Sequence, residues 1–310
     1  MPSSIGIRVY SIKTNKRGEN KSLPLEGRHL NGSISEFLDN FIFEHTNNIV
    51  KNNDTERRWY FEPINVDNDN KKTGYIHYGT FGFESNFVDI ESNTHNYSRK
   101  ITDVEEIPLF YEFWCPKDVN FGLAAFQSFQ GRSCITHVLT EAKKQFENKN
   151  EKYVMNFHKL QINDANNSAY QLAPVRQLRL IKRNTSSDLA DKYCNVGSKN
   201  SVNIEISISA RRKGSLGIFK EMLSSLPNGA ESVITHEGIE YPEAIAEIRV
   251  GGKTRQVGIF GINADAGVID ITDTIKRGRN GHPTFESLKN ETREILQDFY
   301  KFLLETRHEN

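Results

Sequence analysis

The sequence predicts an α+β protein of two domains, each a mostly antiparallel sheet with one or two helices packed on it. Three observations carry this prediction. The 310 residues exceed what one ordinary core organises. Period-two alternation recurs in short runs bounded by Asn, Asp, Gly or Pro. Four other stretches repeat apolar residues at helical spacing.

Residues 4–12 alternate Ile5, Ile7 and Val9 with Gly6, Arg8 and Tyr10, as a half-buried strand requires. Residues 13–32 are polar and read as a loop. Ser33 and Glu36 form a capping-box signature. Ile34, Phe37, Leu38, Phe41, Ile42, His45 and Ile49 follow at helical spacing and predict a helix over 34–50. Strands follow at 57–66, 74–84, 107–114 and 121–129, each rich in aromatic or β-branched residues. Ile135, Val138, Leu139, Ala142 and Phe146 mark an amphipathic helix over 134–147. The polar run 147–152 separates an expected N-terminal domain, 1–148, from a C-terminal one, 152–310.

The second half reads as strands at 153–162 and 176–181, a loop at 184–200, and a strand at 201–210. In the last of these Val202, Ile204, Ile206 and Ile208 alternate with polar residues. A short helix at 215–226 turns in Leu216, Phe219, Leu223 and Leu226. Strands at 244–250 and 253–260 flank Gly251-Gly252, a two-residue hairpin signal. A turn at 263–267, a strand at 268–275 and a helix at 284–306 complete the order β-β-β-α-β-β-β-α.

The 40 basic and 40 acidic residues cancel, which argues against a polyelectrolyte wrapped in nucleic acid. A local basic face remains compatible, because only the local field need attract phosphates. Cys115, Cys134 and Cys194 form no CxxC pair, and their odd number fits a reducing compartment. The first residues lack a signal-peptide apolar region, and no stretch approaches ~20 apolar residues. A cytoplasmic location is the expectation.

The strand order allows one inference about charge. If 201–210 rises, the helix returns the chain, 244–250 rises, 253–260 descends and 268–275 rises. Connections 211–214, 251–255 and 276–282 then share one sheet edge. They hold Arg211, Arg212, Lys213, Lys253, Arg255, Lys276, Arg277 and Arg279, with His282 and no acidic residue. Two of them precede helices, whose N-terminal amides favour anions. The edge reads as a phosphate-binding surface making backbone contacts, which position without reading sequence. About six neutralised phosphates would give a log-affinity slope of roughly −5 against log salt. Solvated loops also carry Lys and Arg, and an acidic protein is the other partner such an edge would suit.

Catalytic patterns are thin. Gly252-Lys253-Thr254 imitates a P-loop end, but Glu247 occupies the place of the first glycine and the loop joins two strands. Arg277 and His282 have the Arg-x4-His spacing of HEPN-type ribonucleases, although Pro283 disfavours helix there. Asp265, Asp270 and Asp273, with Glu243 or Glu247, are carboxylates of the type that hold a nuclease metal, but at no strict ligand spacing. A nuclease using either set is thus the rival reading. No cofactor is implied. The aromatics Trp59, Tyr60, Phe61, Tyr75, Tyr78, Phe81, Phe83, Phe110, Tyr111, Phe113 and Trp114 suit base stacking, yet strand aromatics are mostly core.

The segment Pro108–Leu139 carries a resemblance through Pro108, Phe113, Gly122, Ala124, Phe129 and Gly131. It resembles RexA-like phage-exclusion proteins, as does Gly281-His282 before a long final helix. The first 30 residues and the Asn-rich loops do not match. The resemblance implies a cytoplasmic antiviral protein that binds DNA as a homodimer and signals to a separate effector, such as a membrane protein. It transfers no binding residue, so the basic edge rests on the residues alone.

Overall fold

A computed structural model describes residues 5–27, 30, 32–64, 70–160, 170–185, 202–212, 214–226, 232–250, 253–261 and 268–308. The fold is α+β, and its sheets are mostly antiparallel among the described residues. The chain forms two compact units. One is Tyr10–His158; the other is Met1–Val9 with Lys159–Asn310. The division therefore does not follow the polar run at 147–152. The first strand begins in the C-terminal unit, and the strand after that run stays with the first unit.

In the 10–158 unit, β1 (Ile5–Lys16) is followed by the short β2 (Ser22–Leu23), β3 (Glu26–Gly27) and β4 (Gly32–Ser33). Helix α1 (Ile34–Asn47) starts where Ser33 Oγ accepts from Glu36 N and Glu36 Oε2 accepts from Ser33 N. That reciprocal box satisfies two helix-end donors. Then come β5 (Val50–Asn52), β6 (Arg57–Pro63), β7 (Lys71–Thr80), β8 (Ser85–Val88), β9 (His95–Arg99), β10 (Glu105–Trp114), β11 (Gly122–Phe129), α2 (Ile135–Lys149) and β12 (Tyr153–Leu160). The sheet runs β1-β11-β10-β7-β6-β5, with β12 and β2 also beside β1.

Aromatic packing holds α1 to this sheet. Phe41 lies 5.7 Å from Phe61 and 6.3 Å from Trp59, and Phe61 lies 4.8 Å from Tyr111. Phe37 meets Phe146 of α2 edge-on at 5.3 Å. Trp59, Phe61, Tyr78, Phe110, Tyr111 and Phe113 are buried, so these aromatics make core rather than a stacking platform. β11 is buried along its whole length. On β7 a Cβ at Gly74 would lie 2.2 Å from Glu62 O, so the close β6–β7 approach requires glycine.

The C-terminal unit adds β13 (Val175–Thr185), β14 (Val202–Ser209), α3 (Phe219–Ser225), β15 (Ile234–His236), β16 (Ile239–Tyr241), β17 (Glu243–Val250), β18 (Lys253–Phe260), β19 (Val268–Asp270) and α4 (Phe285–His308). Its sheet runs β14-β13-β17-β18-β19, and residues 6–8 of β1 close it against β19. From residue 176 onward the expected order is present with one addition, the β15–β16 hairpin, while the expected first strand, now β12, belongs to the 10–158 unit. The predicted strand 268–275 ends at Asp270, because Thr272 N turns back to Asp270 Oδ1 and Thr274 N to Ile271 O. Residues 251–252 and 263–267 lie outside the described residues. Ile295, Leu296 and Phe299 of α4 are buried with Ile248, Val257 and Ile269 of the sheet. Among the described residues no helix is long and apolar enough to cross a membrane.

Candidate nucleic-acid interface

Register fixes the strand directions in the C-terminal unit. Gln177 faces Ser209, so β13 starts where β14 ends. Val175 faces Ile248, so β17 ends there too. Val250 faces Lys253, and Gln256 faces Asp270. Strands β14, β17 and β19 therefore run one way while β13 and β18 run the other. The connections after β14, after β17 and after β19 leave from one end of the sheet. Four strand steps separate β14 from β19, about 19 Å at ~4.8 Å per step.

At this end Arg211, Arg212, Lys276 and Arg279 are exposed, and none forms an ion pair with a described residue. Gly214 N donates to Arg211 O, and Arg212 takes a positive φ of 54° in that tight turn. Thr284 N donates to Lys276 O and Lys276 N to Ser287 Oγ, which ties the second loop to the first turn of α4. The first loop does not directly precede a helix, since α3 starts only at Phe219. Lys213 and the side chain of Lys253 lie outside the described residues.

Arg255 does not belong to this surface. It faces Ile248 across the strand pair and is 3% exposed. Its Nη1 donates to Glu291 of α4, and Nη2 lies 3.4 Å from Glu294 Oε2. Strand β18 begins at Lys253, so position 255 is a core-face position rather than a loop position. A buried, doubly paired guanidinium is not available to phosphate. Burial disfavours its charge, but the neighbouring Tyr170 and Glu291 more than offset that. Burial likewise lifts the Tyr170 hydroxyl above its ordinary range.

Two cations of the same end escaped sequence reasoning because they sit within strands. Arg249 is exposed on β17, and its N–H donates to Pro174 O. Arg176 on β13 donates through Nη1 to Gly214 O. Their signal was parity: Arg249 occupies the polar phase of the Ala244–Val250 alternation.

The catalytic alternatives fare differently. Arg277 and His282 lie in a small turn, not along a helix, and their backbones are not paired with each other. Gly278 N donates to His282 O, Arg277 pairs with Pro283, and Arg277 Nη1 reaches Gly281 O at 3.3 Å. The helix that the ribonuclease arrangement requires begins only at Phe285. Asp270 accepts from Thr272 N, and Asp273 accepts from Gln256 Nε2 at 2.9 Å. Asp265 lies outside the described residues. Among the described residues no three His, Cys, Asp or Glu side chains are grouped to hold a metal. Gly252 is likewise undescribed, but Lys253 and Thr254 continue as strand, unlike a P-loop.

In the 10–158 unit one polar cluster was not anticipated. Arg58 Nη2 lies 2.6 Å from Glu106 Oε2, and Tyr60 donates to Glu106 Oε1 at 3.1 Å. His77 stacks on Tyr60 at 4.7 Å and lies between Glu62, at 2.6 Å, and Glu106, at 3.2 Å. Burial opposes the Glu106 charge, but Arg58 and Tyr60 outweigh it and hold the carboxyl below its usual range. The cluster spans β6, β7 and β10.

These features define an α+β protein with a basic sheet end and a separate aromatic-rich unit. No family model matches the chain, and no curated protein sequence matches it.

Proposed function

We propose that the chain is a nucleic-acid-binding protein of antiviral exclusion, without catalysis of its own, that acts as a homodimer and passes its signal to a separate effector. DNA is the favoured ligand. The observation that supports this reading is the convergence of two exposed cationic connections, with Arg249 between them, on one end of the C-terminal sheet. The ~19 Å span matches five to six base steps of ~3.4 Å along one strand. Contacts of this kind go to phosphates and position the protein without selecting sequence. The resemblance over Pro108–Leu139 supplies the exclusion setting, the dimer and the effector.

Removing Arg255 from the edge lowers the expected electrostatic count. Arg211, Arg212, Arg249, Lys276 and Arg279 together predict a slope of roughly −4.5 for duplex DNA. A gel-shift series across salt tests this with Arg211→Ala/Arg212→Ala and Lys276→Ala/Arg279→Ala. Each double variant should reduce the slope by about 2 and weaken binding equally on unrelated sequences. Unchanged affinity and slope in both would sink the edge. Cleavage of DNA or RNA that Asp270→Ala abolishes would replace the reading with the nuclease.

A further inference from the structure

The 10–158 unit carries a hairpin that joins no larger sheet. β8 and β9 pair with each other, Phe87 opposite Tyr97 and Ser85 opposite Arg99, and with no other described strand. An isolated two-stranded ribbon is marginal in water. Its outer edges present backbone donors and acceptors to a neighbour. β8, Ser-Asn-Phe-Val, has no charge or proline to discourage one.

The ribbon also exposes apolar side chains among its polar ones. Phe83, Phe87, Val88, Tyr97 and Ile101 are each about half exposed, and Ile90 at the tip is 97% exposed. At roughly 150–250 Å² per aromatic side chain and somewhat less per aliphatic one, these residues leave about 600 Å² open. Phe87 and Tyr97 share one face, 6.1 Å apart, and Val88 points to the other, so the open area lies on both sides of the β8 edge. Edge-to-edge pairing with a second ribbon draws on both sides, and at about 1,200 Å² for two copies it reaches the size where stable interfaces begin.

The tip decides between occupants. A β-ribbon fits a major groove, but Asp89 and Glu91 flank Ile90. The Asp89 carboxylate is fixed by Glu91 N, Ser92 N and the Ser92 hydroxyl. Carboxylates at the leading point repel phosphates. A second ribbon of the same kind offers what this one lacks: a matching free edge and a matching apolar stripe, related by the two-fold symmetry most dimers use.

We propose that residues 83–101 form the seam through which two copies of this chain associate. The seam gives the dimer of the functional reading a location and stands independently of the basic edge. Sedimentation equilibrium of the full chain, without nucleic acid, tests it. The chain should sediment at twice its 35.5 kDa mass. Phe87→Ser/Ile90→Ser should weaken association by about 100-fold, a tenfold change for each 1.4 kcal/mol lost. Val88→Lys, which charges the bare strand without removing an aromatic, should also weaken it. Amide exchange over 85–99 should slow as protein concentration rises. Both variants should keep the wild-type circular dichroism and salt slope, which separates failure of the seam from failure of the edge. A wild-type monomer at about 100 µM, or a dimer whose Kd moves less than about threefold in Val88→Lys, overturns the proposal. If the double variant aggregates, Val88→Lys and amide exchange decide.

Discussion

Replacing Arg255 with methionine should destabilise the C-terminal unit without altering nucleic-acid affinity. The guanidinium is 3% exposed and Glu291 is 8% exposed, so methionine leaves a buried carboxylate without its cation. Breaking a buried pair from one side costs about 3–5 kcal/mol. Glu294 adds little, because at 48% exposure water screens it. At roughly 2–4 °C per kcal/mol for a unit of this size, the melting temperature should fall by about 6–20 °C. Arg255→Met/Glu291→Leu should recover most of the loss, since apolar replacements of buried pairs are commonly neutral or stabilising. Far-UV circular dichroism is the suitable probe. Both tryptophans, Trp59 and Trp114, belong to the 10–158 unit, so their fluorescence reports on the other one. A loss below about 1 kcal/mol, together with a salt slope shallower by about 1, would refute this reasoning and return Arg255 to the phosphate-binding edge.

Four further outcomes follow from the described contacts. Burial pushes the Cys115 and Cys134 thiols up to about 12, so neither should react with a thiol reagent in the native protein until denaturant is added. Glu106→Gln should cost about 1 kcal/mol at neutral pH. Because the Glu106 carboxyl is held below its ordinary value, that difference should shrink as pH falls through its folded pKa, as urea titrations at several pH values would show. Asp298 has the opposite sign: burial raises its pKa against Lys301 and Arg255. Asp298→Asn should therefore match wild type at low pH and become the more stable form as pH rises through that raised value. Gly74→Ala should destabilise the 10–158 unit by at least about 1–3 kcal/mol, because its Cβ would meet Glu62 backbone, which thermal melts can register.

The strand directions of the C-terminal sheet were legible in the sequence. Alternation gives a strand its buried face, and a two-residue gap between Val250 and Lys253 leaves room only for a reversal. Arg255 misled because Gly-Gly-Lys-Thr-Arg reads as a loop, whereas pairing begins at Lys253. Parity held the answer, since Arg255, Val257 and Ile259 share one phase and only a carboxylate on α4 makes that phase tolerable for arginine. Nothing local in the sequence names Glu291 as that partner. The β8–β9 hairpin was missed for a different reason. Apart from Arg99 its strand residues are not buried, so it has no alternation to read, and its Asn, Ser and Thr residues look like a plain loop. The Tyr60–His77–Glu106 cluster comes from three strands whose register no local pattern specifies.

The closure of the C-terminal sheet by residues 6–8 bears on how this protein is made. Gly6 pairs with Asp270, so the ribosome must add more than two hundred residues before the strand meets its neighbour. At ~5–20 residues per second that wait lasts on the order of 10–50 s. β11 and β12, which also pair with β1, emerge earlier, so only its β19 side stays open through that interval, beside Ile5, Ile7 and Val9, each almost wholly buried in the finished protein. Synthesis thus leaves an apolar strand waiting for its seat, which makes the growing chain a natural client for chaperones that hold exposed segments.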